Sequence, residues 1–244
     1  MRFFNQVLIF VILPFCLKGQ EKIKVILDAD TANEVDDPYA LVRALLEPSW
    51  DITALNAAHW QTSHWATDDS MEDSHRLNQV ILGYMGLNIP TKRGAAARMY
   101  DWGDMAQHSA ASYEIIRQAR DLDEGERLHV IALGALTNVA SAIYIEPQIQ
   151  DQLVLHWLGT TYDFDNDVLR KNDFNCVMDI QALDYLLFSR VEMHIIPVSV
   201  AMKMTFSFED TKQRIAGLHP VCDFLIRQWE DHKDGGGAQL GHQI

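Results

Sequence analysis

The chain has 244 residues, 48% hydrophobic and 22% charged, the composition of a globular protein long enough for one full core, with two small domains not required. Its formal net charge of -14 argues against nucleic acid or an anionic membrane as partner, since both reward Lys and Arg. A small neutral ligand suits this balance better.

Met1 to about Gly19 places Arg2 ahead of an apolar run from Val7 to Leu17, with the small residue Gly19 before polar Gln20-Glu21-Lys22. This is the pattern of a secretory signal peptide, and the run is short for a membrane span. The expectation is a secreted or periplasmic protein without stable membrane insertion, with residues 20–244 as one domain. Cys16 would suit lipid attachment only after a small residue, and Phe15 is large. Cys176 and Cys222 read as separate small core residues, with one disulfide between them as the alternative in an oxidising compartment.

Val25-Ile26-Leu27 reads as a buried parallel strand that ends in Asp28 and Asp30; a polar loop follows, and Asp36 and Asp37 open a helical segment, Tyr39 to Leu46. Side chains alternate along a strand, so Asp28 and Asp30 share a side, while Asp36 and Asp37 sit at the positive end of the helix dipole. Carboxylates crowded at one turn repel unless a proton or a cation relieves them. An all-oxygen cluster suits Ca2+ or Mg2+ better than zinc. The alternative makes Asp36 an N-cap only, which leaves Asp28 and Asp30 unexplained.

Asp51 to Ala58 reads as the next strand, and it runs into His59-Trp60-Gln61-Thr62-Ser63-His64-Trp65, which either packs over a base or sugar ring or is pinned by its own aromatics. Ser70 to Met85 has helical spacing that Gly86 stops, Ile89-Pro90 to Gly94 is a short extended connection, and Arg98 to His108 is a surface loop. A helix is predicted over about Ala110 to Arg120. Leu128 to Leu133 is a buried strand that Gly134-Ala135-Leu136-Thr137-Asn138 turns into a helix through Tyr144; carbonyls left free at such a turn are natural ligands for a hard metal. Leu153 to Leu158 is a strand, Gly159 to Asp173 a long Asp/Asn-rich loop, and Ile180 to Ser189 a helix. Asp173 and Asn175 are spaced to share one side of an extended piece and grip vicinal hydroxyls. A strand over Glu192 to Val200 and helices over Ser207 to Gly217 and Val221 to His232 precede a Gly-rich tail. The alternation predicts an α/β fold, an open, mainly parallel sheet with helices on both faces.

These pieces resemble the inosine-uridine nucleoside hydrolase family, whose fold is Rossmann-like and whose first strand ends in D-x-D-x-x-x-D-D. Asp28-Ala29-Asp30 and Asp36-Asp37 match it with a longer loop between them. Ile89-Pro90 to Gly94-Ala95 is similar to the family's I-P-V-x-x-G-A, Leu133 to Asn138 to L-G-P-L-T-N, and Asp173-Phe174-Asn175 with Asp179 to E-F-N-x-x-x-D. The resemblance implies hydrolysis of the N-glycosidic bond of ribonucleosides or related N-ribosides by a water bound to Ca2+. It maps the ion onto Asp30, Asp37 and the Thr137 carbonyl, with Asp30 also taking the proton, and the ribose hydroxyls onto Asp36 and Asn175, with Asp173 in place of the family's Glu and Asn166 as a second Asn. Family members are commonly oligomeric, which makes a homo-oligomer compatible with the resemblance.

The chain departs from the family's pattern in three places. The Thr31 to Val35 loop replaces a tight Pro-Gly turn, and the Asn that follows the family's second strand has no clear counterpart near Ala58 and His59. The family's late His-Asp pair, proton donor and last metal carboxylate, is expected about where this sequence stops, while Asp231, His232 and Asp234 read as an ordinary charged helix end. The sequence therefore supports two further readings: a C-terminally incomplete member that binds a riboside or metal without turnover, and a phosphatase of the haloacid-dehalogenase kind with Asp28 as nucleophile. The second wants D-x-D-x-T, and here Thr31 follows Asp30 directly.

Overall fold

The computed structural model describes residues 22–234, so the expected signal peptide and the Gly-rich stretch 235–244 lie outside the described residues. Strands β1 (Ile23–Ala29), β2 (Trp50–Ala57), β3 (Thr91–Lys92), β4 (Leu128–Ala132), β5 (Leu153–Leu158) and β8 (Glu192–Ile196) form one sheet in the order β3-β2-β1-β4-β5-β8. Every pairing in it is parallel.

Parallel strands buried on both faces read as unbroken apolar runs, which is why β1, β4 and β5 are visible in the sequence. Alternation sends Ile26, Val130 and Leu155 to one face, against α3 (Ala110–Arg120), α4 (Thr137–Ile145) and α6 (Ile180–Leu187). Val25, Leu27 and Leu55 face the other way, against α1 (Asp36–Leu45), α2 (Ser70–Met85) and α9 (Pro220–Asp234). That second layer thins towards β8, where Glu192, His194 and Ile196 are exposed. There the His129, His156 and His194 rings stack across β4, β5 and β8, with centroids 5.3 and 4.9 Å apart.

Several elements differ from expectation for local reasons. The Gly159 to Asp173 segment is not a plain loop: β6 (Thr161–Asp163) and β7 (Val168–Arg170) pair antiparallel, held at the turn by Asp163, which accepts from Asn166 and Arg170. Pro197, which has no N–H for the ladder, ends β8 early, and α7 (Val198–Ala201) follows. Asp173 caps a short helix, α5 (Phe174–Met178), that the sequence pattern does not mark, and a 3-10 turn occupies Pro147–Gln152. Ser207 caps α8 (Phe208–Ile215), which is shorter than expected. Cys176 lies in the first core and Cys222 on α9 beside the second, both free thiols, so the disulfide alternative fails: the sheet stands between them.

Candidate active site

The chain winds outward from β1 through β2 to β3, then returns to β4 on the other side of β1 and continues to β5 and β8. Strand order therefore reverses between β1 and β4, and loops leaving their carboxyl ends diverge to open a crevice. Two loops border it: the acidic loop after β1 and the turn Gly134 to Asn138 after β4.

The acidic loop is held from below. Asn33 N–H donates to the Asp30 carbonyl at 2.8 Å, and Thr31 Oγ1 donates to Asn78 Oδ1 of α2 at 2.7 Å. Asp36 and Asp37 are the first residues of α1, and Val35 occupies the cap position without a side-chain cap bond. The capping explanation for Asp36 is therefore wrong; Asp36 is half-buried and Asp37 buried.

Asp28 and Asp30 are both buried, at 0% and 3% exposure. Burial pushes the Asp28 carboxyl up to about 6 against the pull of the hydrogen bond from Asn138. Burial also pushes Asp30 up to about 7, with repulsion from Asp36 and Glu34 adding to it. Asp37 is raised for the same reasons, burial first and Asp30 second. Asp30 Oδ2 and Asp37 Oδ2 are buried with no donor, and the two carboxyls meet acceptor to acceptor, so a proton or a cation has to stand between them. Donors of this type suit a hard cation. Among the described residues no three His, Cys, Asp or Glu side chains converge as a metal site, so an ion here would complete its shell with carbonyl oxygen and water.

The β4 turn has the opposite character, since its polar groups are paired. A Cβ on Gly134 would lie 2.4 Å from Asp30 Oδ1, so only glycine lets this backbone rest on the carboxylate. Gly134 O accepts from Trp157 Nε1 at 3.0 Å. Asn138 Nδ2 donates to Asp28 at 3.0 Å and to the Ala57 carbonyl at 3.1 Å, and its Oδ1 accepts from Ala95 N–H at 2.8 Å. Thr137, the first residue of α4, donates through Oγ1 to Asp179 Oδ2 at 2.6 Å and lies 3.0 Å from His59 Nε2.

Asn175 Nδ2 donates to two strand-end carbonyls, Leu133 O at 2.5 Å and Leu158 O at 2.9 Å, which leaves Oδ1 to accept from a ligand. Asp173 is already committed: it accepts from Thr160 N–H at 2.5 Å and from the N–H groups of Asn175 and Cys176. That bond holds buried Thr160 at φ +66, a left-handed conformation costly for a β-branched residue. Asn166 stands apart on the exposed β6–β7 turn, donating to Asp163 Oδ2 at 2.9 Å. The structure thus brings Asp30, Asp36 and Asp37 together and does not join Asn166 to them by any contact.

Of the aromatic stretch after β2, His59 and Trp60 are buried, but Trp65 is 39% exposed. Its ring stacks on Phe174 at 5.2 Å, and its Nε1 donates to Asn33 Oδ1 of the acidic loop at 3.0 Å. His64 meets its edge at 4.6 Å. Sequence reasoning misses this bridge and the buried roles of His59, Asn138 and Thr160, whose partners are distant along the chain.

Sheet order, crevice and carboxylate loop define the fold of the nucleoside hydrolases. The chain is similar to a plant nucleoside hydrolase, with a TM-score of 0.65 at 17% identity over 88% of this chain and 74% of that one. It is similar to a purine-preferring ribonucleoside hydrolase from Gardnerella vaginalis, with a TM-score of 0.65 at 19% identity over 89% and 75%. It also resembles the type III effector protein XopQ, solved with adenosine diphosphate ribose, with a TM-score of 0.67 at 14% identity over 90% and 69%. Identities this low establish the fold alone. A search of curated protein sequences finds no match. The sequence model of the inosine-uridine preferring nucleoside hydrolases matches residues 25–241, and the chain belongs to that family of N-ribosyl hydrolases.

Proposed function

We propose that this chain hydrolyses the N-glycosidic bond of ribonucleosides or closely related N-ribosides with the help of Ca2+. The observation that carries the reading is the buried Asp30–Asp37 carboxyl pair, two facing acceptors without a donor at the sheet's switch point. Asp30, Asp37 and the Thr137 carbonyl would hold the ion. A bound Ca2+ would lower the pKa of a water and so supply a nucleophile near neutral pH.

The chain's own groups do the rest. Asp30 takes the proton of the attacking water, from a buried position beside the proposed ion. Asp36 and Asn175 Oδ1 accept from ribose hydroxyls and orient the sugar. The surrounding carboxylates stabilise the positive charge that develops on the sugar as the base leaves. The Trp65–Phe174 stack offers a flat apolar wall to a planar leaving group. His59 does not protonate that group, because both of its ring nitrogens are engaged. We further propose that the protein acts outside the cytoplasm, from the pattern at Met1 to Gly19; an exported protein starting near Gln20 by mass spectrometry supports this, and one retaining Met1 opposes it.

A second reading, riboside or metal binding without turnover, is favoured by one observation: among the described residues only two carboxylates meet at the proposed ion position. Incubating the purified protein with a panel of ribonucleosides, with Ca2+ and with chelator, separates the two. Calcium-dependent release of ribose supports hydrolysis. Tight riboside binding without release supports the second reading.

A further inference from the structure

Four loops at the carboxyl ends of the sheet are joined by one unbroken run of buried hydrogen bonds, and each donor in it can be assigned. Asp179, 1% exposed, accepts from Met99 N–H at 2.9 Å, Ala182 N–H at 2.9 Å and Thr137 Oγ1 at 2.6 Å. The Thr137 hydroxyl has one proton and gives it to Asp179, so towards His59 Nε2 it can only accept. His59 must then carry its proton on Nε2, which leaves Nδ1 free to accept from Gln61 N–H at 3.2 Å. A second proton on the ring would break that last bond. Burial agrees, holding the imidazole down to about 4.

At the middle of the run stands Thr137, which shares its turn with Gly134, packed on Asp30, and with Asn138, bonded to Asp28. We propose that His59 and Asp179 are positioning residues that fix the head of α4, and with it the Thr137 carbonyl, for cation binding. The inference rests on the calcium reading above. His59 lies just past β2, near where the family's pattern has an Asn, and both of its ring nitrogens are engaged within the protein, one of them by the neighbouring loop at Thr137. Partners around a metal site that orient its ligands typically control affinity by about 10- to 100-fold when removed.

The test is calcium titration by calorimetry on the purified protein, with melting temperature recorded in chelator. His59→Leu removes the donor and should weaken calcium binding by about 10- to 100-fold. His59→Gln retains an N–H able to reach Thr137 and should recover most of the affinity. Thr137→Val, which keeps the carbonyl and loses the hydroxyl, should match His59→Leu and serves as the readout if that variant fails to fold. A structural role alone would lower the melting temperatures of both His59 variants and leave their affinities equal to the parent's; that result overturns the inference. Equal loss of affinity in His59→Leu and His59→Gln also overturns it. If the parent itself binds no calcium, the calcium reading falls and takes the inference with it, whereas a parent that binds beside an unaffected His59→Leu removes the inference alone.

Discussion

The two loops that border the crevice invert one another. After β4, amide, hydroxyl and imidazole groups satisfy each other across four segments; after β1, buried carboxyls face each other with oxygens that nothing satisfies. Left alone, the acidic loop would relax its repulsion by moving apart. It cannot, because Gly134 rests on Asp30 and Asn138 grips Asp28. The contrast teaches that a strained group persists only where its surroundings hold it in place.

The largest effect should come from removing the strain at its centre. Asp30→Asn is expected to lower ribose release at least 100-fold, the usual scale for loss of a general base, while the circular dichroism spectrum stays that of the parent. Retention of a tenth of the activity would assign the proton to another group.

Breaking the paired side comes next. Asn138→Ala leaves the Asp28 carboxyl buried without its main donor and should cost about 2–3 kcal/mol in urea unfolding. A loss under about 0.5 kcal/mol, the scale of an ordinary surface change, would mean that the loop does not depend on this bond.

A pH series sharpens the comparison further. Asp28 and Asp30 have folded-state values of about 6 and 7 against 3.8, so the cost of ionising them is absent below about pH 4 and grows as the pH rises to 6–7. His59, depressed from 6.5 to about 4, contributes the other way: its stability is present above pH 6.5 and lost as the pH falls towards 4. The stabilisation of calcium-free protein by Asp30→Asn should therefore be larger at pH 7.5 than at pH 5 in thermal melts. Calcium at pH 7.5 should shrink it. A gain independent of pH would show that Asp30 is already neutral or already relieved.

The smallest effect is expected on the hairpin. Asn166→Ala touches only the turn around Asp163 and should change kcat/KM less than about 2-fold, in keeping with an exposed site away from special features. A larger loss would bring the hairpin over the sugar.

The fold was legible because a buried parallel strand has few sequence alternatives: β5 and α2 lie where their apolar patterns predict them, at Leu153–Leu158 and Ser70–Met85. The β6–β7 hairpin was not legible, since its strands are three residues long and β7 is exposed, so no apolar alternation marks it. Within the site, Asp28, Asp30, Asp36 and Asp37 are neighbours along the chain and could be read together. Thr137 and His59 lie 78 positions apart, and Thr137 and Asp179 42 apart; only the sheet order brings them together. The commitment of Asp173 to capping was equally hidden, because a carboxylate that caps and one that binds a sugar look alike as letters.

Trp65 has a consequence of another kind. Its indole is partly in water, stacked on Phe174, and tied through Nε1 to the loop that carries the carboxylates. It is one of six tryptophans, so the difference in emission between the parent and Trp65→Phe isolates its signal. The acidic loop thereby carries its own optical reporter: a cation or riboside that shifts Asn33 should change the colour and intensity of that difference spectrum, without label or turnover.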